Sequence, residues 1–432
     1  MRFLDITASL LLLCADCHLA RGAAEHPQSV VHADSEAAAS ESLGEDAAVL
    51  RALKENPSLR AFRKQSAVAE GQLVSATAIE NPMLQLQLVH VQTGNQMGFA
   101  GTLKWTPPQP VIWLASRSLA RAHIEQVRYE IAEQEWNIAT QVRMAHSTLI
   151  VLREQARANE QILALRKRML DLLRTKVDRG AATRIELNLV QVANLSAQRD
   201  LDDLAIRRND AQTQLHLLLG IMSVQPIAVH GDYPSDFEEA IVPEADTLAE
   251  AALAARPTLK AAQTRIVQRE QAVKIEKAKR WPWFELSGRY RHTVSVNYPD
   301  EGLLGIELPL PVLNQNGGPV QTTRAELDLE LALAQAQFQA LKQSVYAAYS
   351  ELLVRRKILT RYRKEVLPVI AEHEQLMEMA LKDGHIDLVA LLSSEESALR
   401  GQREYGEARL AYRRAWLGLE AAVGSPLTEV SR

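Results

Sequence analysis

At 432 residues, with 24% charged residues and a formal net charge of -4, the chain is long enough for two or three ordinary domains and has no basic excess to hold nucleic acid. Beyond residue 24 no run approaches the roughly 18 consecutive apolar residues of a membrane helix, so any crossing of a bilayer falls to β-strands. Aromatic residues are only 5%, and Ala, Leu, Gln, Glu and Arg dominate the long segments, a composition that suits long helices packed as coiled coils.

The N-terminal residues 1–24 read as a secretory signal peptide. A basic start at Arg2 leads into an apolar stretch and then into Ala20, Gly22, Ala23 and Ala24, with cleavage expected near Ala24. Cys14 and Cys17 both lie inside it, so the mature chain is expected to carry no thiol, in keeping with an oxidising compartment. Residues 25–45 form a tail.

An internal repeat then organises the chain. Ala52, Leu53, Pro57, Leu59, Ala61, Glu70, Ala78, Pro82 and Leu86 recur without a gap as Ala252, Leu253, Pro257, Leu259, Ala261, Glu270, Ala278, Pro282 and Leu286. Gly180 answers Gly384, and Gly220 answers Gly424, with a small drift in register. Because the prolines and glycines recur along with the helix fillers, duplication is the economical reading. It gives a first repeat over 46–224, a linker over 225–244, a second repeat over 245–425 and a tail over 426–432.

Each repeat predicts the same four pieces. The first is a helix over about 46–79, and again over 245–279, divided at Asn56-Pro57 and Arg256-Pro257. The second is a strand pair within 82–107 and within 282–311. Alternation places Leu84, Leu86 and Leu88 on one face with Gln85 and Gln87 on the other, and Phe284, Leu286 and Tyr290 opposite Glu285, Ser287, Arg289 and Arg291. Return strands are expected at 98–105 and 303–310, ended by prolines. The third piece is a very long helix over 115–176 and over 320–382, each read as one rod of roughly 90 Å. A turn at Gly180 or Gly384 then leads into a shorter returning helix, over 185–219 or 388–423, stacked end to end with the first helix beside the rod.

Two hairpins supply four strands, too few to close a membrane barrel, which needs about eight, so several copies must contribute. The apolar residues Leu84, Leu86, Leu88, Phe284, Leu286 and Tyr290 are then expected to face lipid, and Gln85, Gln87, Glu285, Ser287, Arg289 and Arg291 a water-filled lumen. A soluble sandwich accounts for the strands alone and falls once the rods are added, because rods this long have no partner in a small sandwich; a periplasmic coiled-coil adaptor or scaffold, which accounts for the rods alone, stays open here.

Lys54-Glu55-Asn56-Pro57-Ser58-Leu59, Glu80-Asn81-Pro82-Met83-Leu84, the run from Leu308 to Gly318 and the helical pattern after Gly180 and Gly384 together resemble the outer membrane efflux proteins typified by TolC. Within that family they resemble the CzcC and CusC type that serves heavy-metal efflux. The resemblance spans residues 45–426. It implies a mainly α fold with a small β part, in which coiled-coil helices form a periplasmic α-barrel and the strands of a homotrimer close one outer-membrane β-barrel. It further implies a passive duct for heavy-metal cations, working with a periplasmic adaptor and an inner-membrane pump of the resistance-nodulation-division type. The family places an acidic residue six positions after each tip glycine. Glu186 stands there in the first repeat but Ala390 in the second, with Asp387, Glu395 and Glu396 as nearby substitutes. Crowded by threefold symmetry, such carboxylates would repel one another and attract cations.

No enzyme, cofactor or metal site is expected. The histidines after residue 24 are scattered, none four residues from another, and Glu372-His373-Glu374 lacks a second imidazole. Neither a phosphate loop nor a nucleophile elbow is present.

Overall fold

A computed structural model describes residues 43–91, 96–222, 227–229, 231, 233, 240–293, 300–382 and 388–427. The proposed signal peptide and nearly all of the N-terminal tail lie outside these residues.

The first repeat begins with three short helices, α1 (Glu45–Glu55), α2 (Pro57–Arg63) and α3 (Gln65–Thr77). The break between α1 and α2 is written into Asn56-Pro57. Pro57 needs no donor at the first helical position, and Asn56 caps α2 by accepting from the Leu59 amide at 2.9 Å. The strands β1 (Met83–Val91) and β2 (Gln96–Trp105) follow, then α4 (Pro110–Asp178) and α5 (Arg184–Leu219). At 69 residues α4 is a rod of roughly 100 Å. The second repeat runs α6 (Ala245–Ala255), α7 (Pro257–Ala278), β3 (Glu285–Thr293), β4 (Glu301–Glu307), α8 (Gly317–Arg361), a π turn (Tyr362–Val366), α9 (Leu367–Lys382) and α10 (Leu388–Val423).

Three expectations are corrected. The second rod is not α-helical throughout, because Pro368 lies within it. Proline has no amide to offer the Lys364 carbonyl and its ring crowds that oxygen, and the widened turn over Tyr362–Val366 takes up the misfit. The return strand β4 ends at Glu307 instead of reaching residue 310, since Pro309 already removes a ladder donor. Phe284 precedes β3, so it belongs to neither face of the sheet; its ring lies 4.9 Å from that of Trp283.

Both return helices end against the junction that opens their own repeat. Gly220 and Gly424 hold φ of 69° and 82°. A Cβ on Gly220 would lie 2.8 Å from the Glu55 carbonyl and 2.9 Å from Pro57 Cδ. The side chain of Asn56 donates to the Leu218 carbonyl at 2.8 Å, and Arg256 donates to the Ala422 carbonyl at 2.9 Å. α5 thus stacks under the α1–α2 junction and α10 under the α6–α7 junction. In the first repeat α3 and α5 both lie along α4; in the second, α7 and α10 lie along α8 while also packing on α4. The columns therefore run in the order α3 over α5, α4, α7 over α10, α8, with the first and last as free edges.

The largest core cluster gathers Leu248, Leu352, Tyr412, Trp416 and Leu419 of the second repeat; its counterpart joins Leu59, Val142, Leu149, Leu204 and Leu215 of the first. An ionic seam crosses between the repeats. Arg143 of α4 lies 3.8 Å from Glu45 and 3.7 Å from Glu420 of α10, and Arg413 pairs with Glu45. Burial raises the Glu420 pKa above the usual carboxylate range, against the opposing pull of the Leu427 amide and Arg143.

Candidate functional site

The four strands form one antiparallel sheet in the order β1-β2-β3-β4, leaving β1 and β4 as unpaired edges. Directly opposed residues in such a ladder share a face. Leu84 pairs with Leu103, Leu86 with Gly101 and Leu88 with Phe99; Trp105 pairs with Leu286, Gly101 with Tyr290, Leu286 with Ile306 and Gly288 with Leu304. One face is therefore apolar across all four strands.

The other face carries Gln85, Gln87, Thr102, Lys104, Glu285, Ser287, Arg289, Arg291, Glu301 and Glu307, with Met83, Ala100 and Leu303 as apolar residues among them. Lys104 Nζ donates to Glu285 at 2.8 Å and to Glu307 at 3.2 Å, and Arg291 lies 3.5 Å from Glu301. Arg289 has no ion-pair partner among the described residues. The apolar face is as open as the polar one, Leu88 and Leu304 each being 91% exposed. Aromatic groups mark both ends of the apolar face. Phe99 lies 6.0 Å from Tyr290 and 6.1 Å from His292 at one end, while Trp105 and Trp283 anchor their indole donors on the carbonyls of Glu80 and Pro107 at the other.

At the far end of the rods the chain reverses at Gly180, whose φ is 73°. The Ala181 amide reaches the Lys176 carbonyl at 2.8 Å and the Gly180 amide reaches Val177 at 3.0 Å, a closure that requires the left-handed residue. Thr183 then caps α5. Its hydroxyl accepts from the Glu186 amide, and Glu186 Oε2 accepts in turn from the Thr183 amide at 2.7 Å. That hydrogen bond, and a second from the Thr183 hydroxyl, hold the Glu186 carboxyl below its ordinary value.

The sequence-predicted tip carboxylates stand in different surroundings. Glu395 is committed within the chain, with Arg166 Nε 3.1 Å away and the two side chains only 11% and 6% exposed. Glu396 is exposed and pairs loosely with Arg400 one turn on, at 3.3 Å. Gly384 and Asp387 lie outside the described residues. Between α5 and α10, over a floor that includes Arg166, runs a groove of about 860 Å³ lined by Ile185, Val192, Arg199, Leu399, Arg400 and Arg403.

Several of these residues escaped the sequence reading. Thr183 was legible as the opening of a Thr-x-x-Glu capping box, and Glu301 from the alternation of β4. No local signal marks Arg166, whose partner is 229 residues away. Among the described residues no helix is long and apolar enough to cross a membrane, and no group of three or more His, Cys, Asp or Glu could hold a metal ion.

Residues 248–425 match the family model described as outer membrane efflux protein. No curated relative matches the sequence. Among solved structures, a membrane protein from Pseudomonas aeruginosa superposes with a TM-score of 0.74 at 16% identity, covering 88% of this chain and 92% of its own. The open state of the MtrE outer membrane channel of Neisseria gonorrhoeae gives 0.72 at 16%, covering 89% of each chain. CusC, solved in a study of folding and transmembrane channel formation, gives 0.70 at 14%, covering 89% of this chain and 93% of its own. The fold is thus that of the solved outer-membrane channels, and neither the family nor these neighbours are enzymes. Over residues 248–425, its second repeat, the chain is similar to the outer membrane efflux proteins.

Proposed function

We propose that this chain is the outer-membrane channel of a tripartite efflux system, a passive homotrimeric duct whose helical part stands in the periplasm. The observation that carries the reading is the sheet. Among the described residues it has two unpaired edges and an apolar face that nothing covers, bounded at both ends by aromatic residues. Edges left open invite pairing, and lipid is the solvent that suits such a face. Three copies, β4 of each joined to β1 of the next, close twelve strands with Leu84, Leu86, Leu88, Leu286 and Tyr290 toward lipid. Gln85, Gln87, Glu285, Ser287, Arg289 and Arg291 then line the lumen. An adaptor or scaffold has no use for such a sheet.

In this reading the rods end in a periplasmic mouth, where Gly180, Gly384, Glu186, Asp387 and Glu396 meet the adaptor and restrict passage. Glu395 supports the mouth through Arg166. The pump belongs to the resistance-nodulation-division type and the solutes are heavy-metal cations; both rest on the sequence resemblance, and CusC stands no nearer in fold than MtrE does.

The test is fractionation followed by electrophoresis without boiling, which should reveal a heat-resistant trimer in the outer membrane. Leu86→Arg should block assembly, at about 2 to 4 kcal/mol per charge facing the bilayer midplane, while Gln87→Arg should assemble. Equal behaviour of the two variants would overturn the assignment of faces. Deleting the chain and measuring tolerance to a panel of metals and organic drugs tests the solute class.

A further inference from the structure

The two free edges of the protomer carry opposite charge at the same height. On α8 the packed seam runs through Leu341, Val345, Leu352 and Leu359. About half a turn away the surface is exposed and carries Val354, Lys357, Arg361 and, within the π turn, Lys364. With Arg356, Thr360 and Glu365 these cations line a shallow groove of about 360 Å³. On α5 the seam runs through Val190, Ala197, Leu204 and Ala211, and the opposite surface presents Leu195, Asp202, Ile206 and Asp210, with Asp203 beside them. None of Lys357, Arg361, Lys364, Asp202, Asp203 and Asp210 forms an ion pair among the described residues. The other charges nearby are Arg355, paired with Glu351, and Arg199, paired with Asp200. Arg208 leaves α5 away from that surface, whereas Arg207, one turn from both Asp203 and Asp210, borders it and offsets part of its negative charge.

Contacts within the chain set the heights. Tyr362 donates to Glu404 at 3.1 Å, so the π turn is level with that point of α10. Gln155 of α4 donates to the neighbouring Arg403 carbonyl at 3.4 Å, and Gln155 and Asn159 line a small cavity together with Leu204 of α5. Position 362 on one edge is therefore level with about 204 on the other. α8 runs toward the tip and α5 away from it. At ~1.5 Å per residue, Lys357 and Asp210 both lie roughly 8 Å above that level, and Lys364 and Asp202 both roughly 3 Å below it.

We infer that the Lys357, Arg361 and Lys364 face of one copy docks on the Asp202, Asp203 and Asp210 face of a second copy, forming a charged seam halfway down the helical barrel. Cyclic symmetry rotates copies without shifting them along the axis, so groups level in one protomer meet level across the interface. Leu353 and Val354 on one side, and Leu195 and Ile206 on the other, add exposed apolar surface to the same contact. The seam rests on the trimer proposed above and supplies it with a register and a direction, since only the basic edge of one copy fits the acidic edge of the next.

Charge reversal in the full-length, detergent-solubilised protein tests it. Lys357→Glu, Arg361→Glu and Lys364→Glu together should lower the trimer-to-monomer ratio on unboiled gels about tenfold, most strongly at low salt. Asp202→Lys, Asp203→Lys and Asp210→Lys together should do the same, and all six together should restore the trimer. Oxidising Lys364→Cys combined with Asp202→Cys should join protomers covalently. A trimer indifferent to both reversals, or six substitutions whose losses add, would overturn the seam and leave the duct standing. A wild-type chain that forms no trimer at any salt would overturn both.

Discussion

Glu395 and Glu396 are neighbours in sequence and should behave as opposites. Glu395 sits against Arg166, which also donates to the Ala193 carbonyl at 2.8 Å, and the pair is almost wholly removed from solvent. Replacing Glu395 by Ala strands a buried guanidinium, a change that costs about 3 to 5 kcal/mol. Glu396 is exposed and holds only the i, i+4 contact with Arg400, so Glu396→Ala should cost at most about 0.5 kcal/mol. The Arg166 pair ties α4 to α10 beside the small cluster of Leu170, Val190 and Leu392, so the loss should appear as local opening of the tip before global unfolding. Hydrogen exchange on the solubilised protein reads it directly. Amides around 166–173, 190–194 and 391–399 should exchange roughly a hundredfold faster or more in Glu395→Ala, since about 1.4 kcal/mol is tenfold, and at the wild-type rate in Glu396→Ala. Arg166→Met combined with Glu395→Leu should recover most of the protection, because removing both charges leaves neither stranded. Equal protection in the two alanine variants would refute the account of Glu395 as a structural partner and return it to the mouth as a free charge.

Two glycines with nearly equal φ should differ in tolerance. Gly180→Ala meets open space and should cost about 1 kcal/mol in melting experiments, whereas Gly220→Ala adds a collision with the Glu55 carbonyl and Pro57 and should cost clearly more. His146 is buried, with Nε2 3.1 Å from the Leu43 carbonyl, and burial lowers its pKa from 6.5, aided by Arg413 and Arg153 and opposed by the Leu43 carbonyl and Glu45. With the folded value depressed, its contribution to stability is complete above the unfolded value and is lost as pH falls through that value toward the folded one. Thermal melts of wild type against His146→Gln should therefore diverge in slope below about pH 6.5, and parallel slopes would refute the assignment. Glu186→Ala with Asp387→Ala should raise single-channel conductance at low salt in planar bilayers while leaving the protein in the membrane; unchanged conductance and ion preference would remove these carboxylates from the mouth.

Much of the fold was legible in the residues because it rests on local rules. Alternation of period two places Leu84, Leu86 and Leu88 opposite Gln85 and Gln87 whatever they pack against, since successive side chains leave a strand on opposite sides. Asn56-Pro57 and Gly180 act through their own backbone preferences, which is why the α1–α2 break and the tip turn fall where the sequence puts them. Pro368 is legible by the same rule, and the π turn over Tyr362–Val366 is its structural trace.

The sequence by itself determined a duplicated chain of helices and strands, with one apolar face per hairpin and a reversal at Gly180. Only the tertiary structure decided that the hairpins join through β2 and β3 into one sheet, which leaves both β1 and β4 open. It alone committed Glu395 to Arg166 and set the basic stretch of α8 level with the acidic stretch of α5. Periodicity says which side of an element is apolar or charged. What meets that side depends on contacts between residues hundreds of positions apart, whose pairing comes from the packing of whole rods and has no local sequence signal.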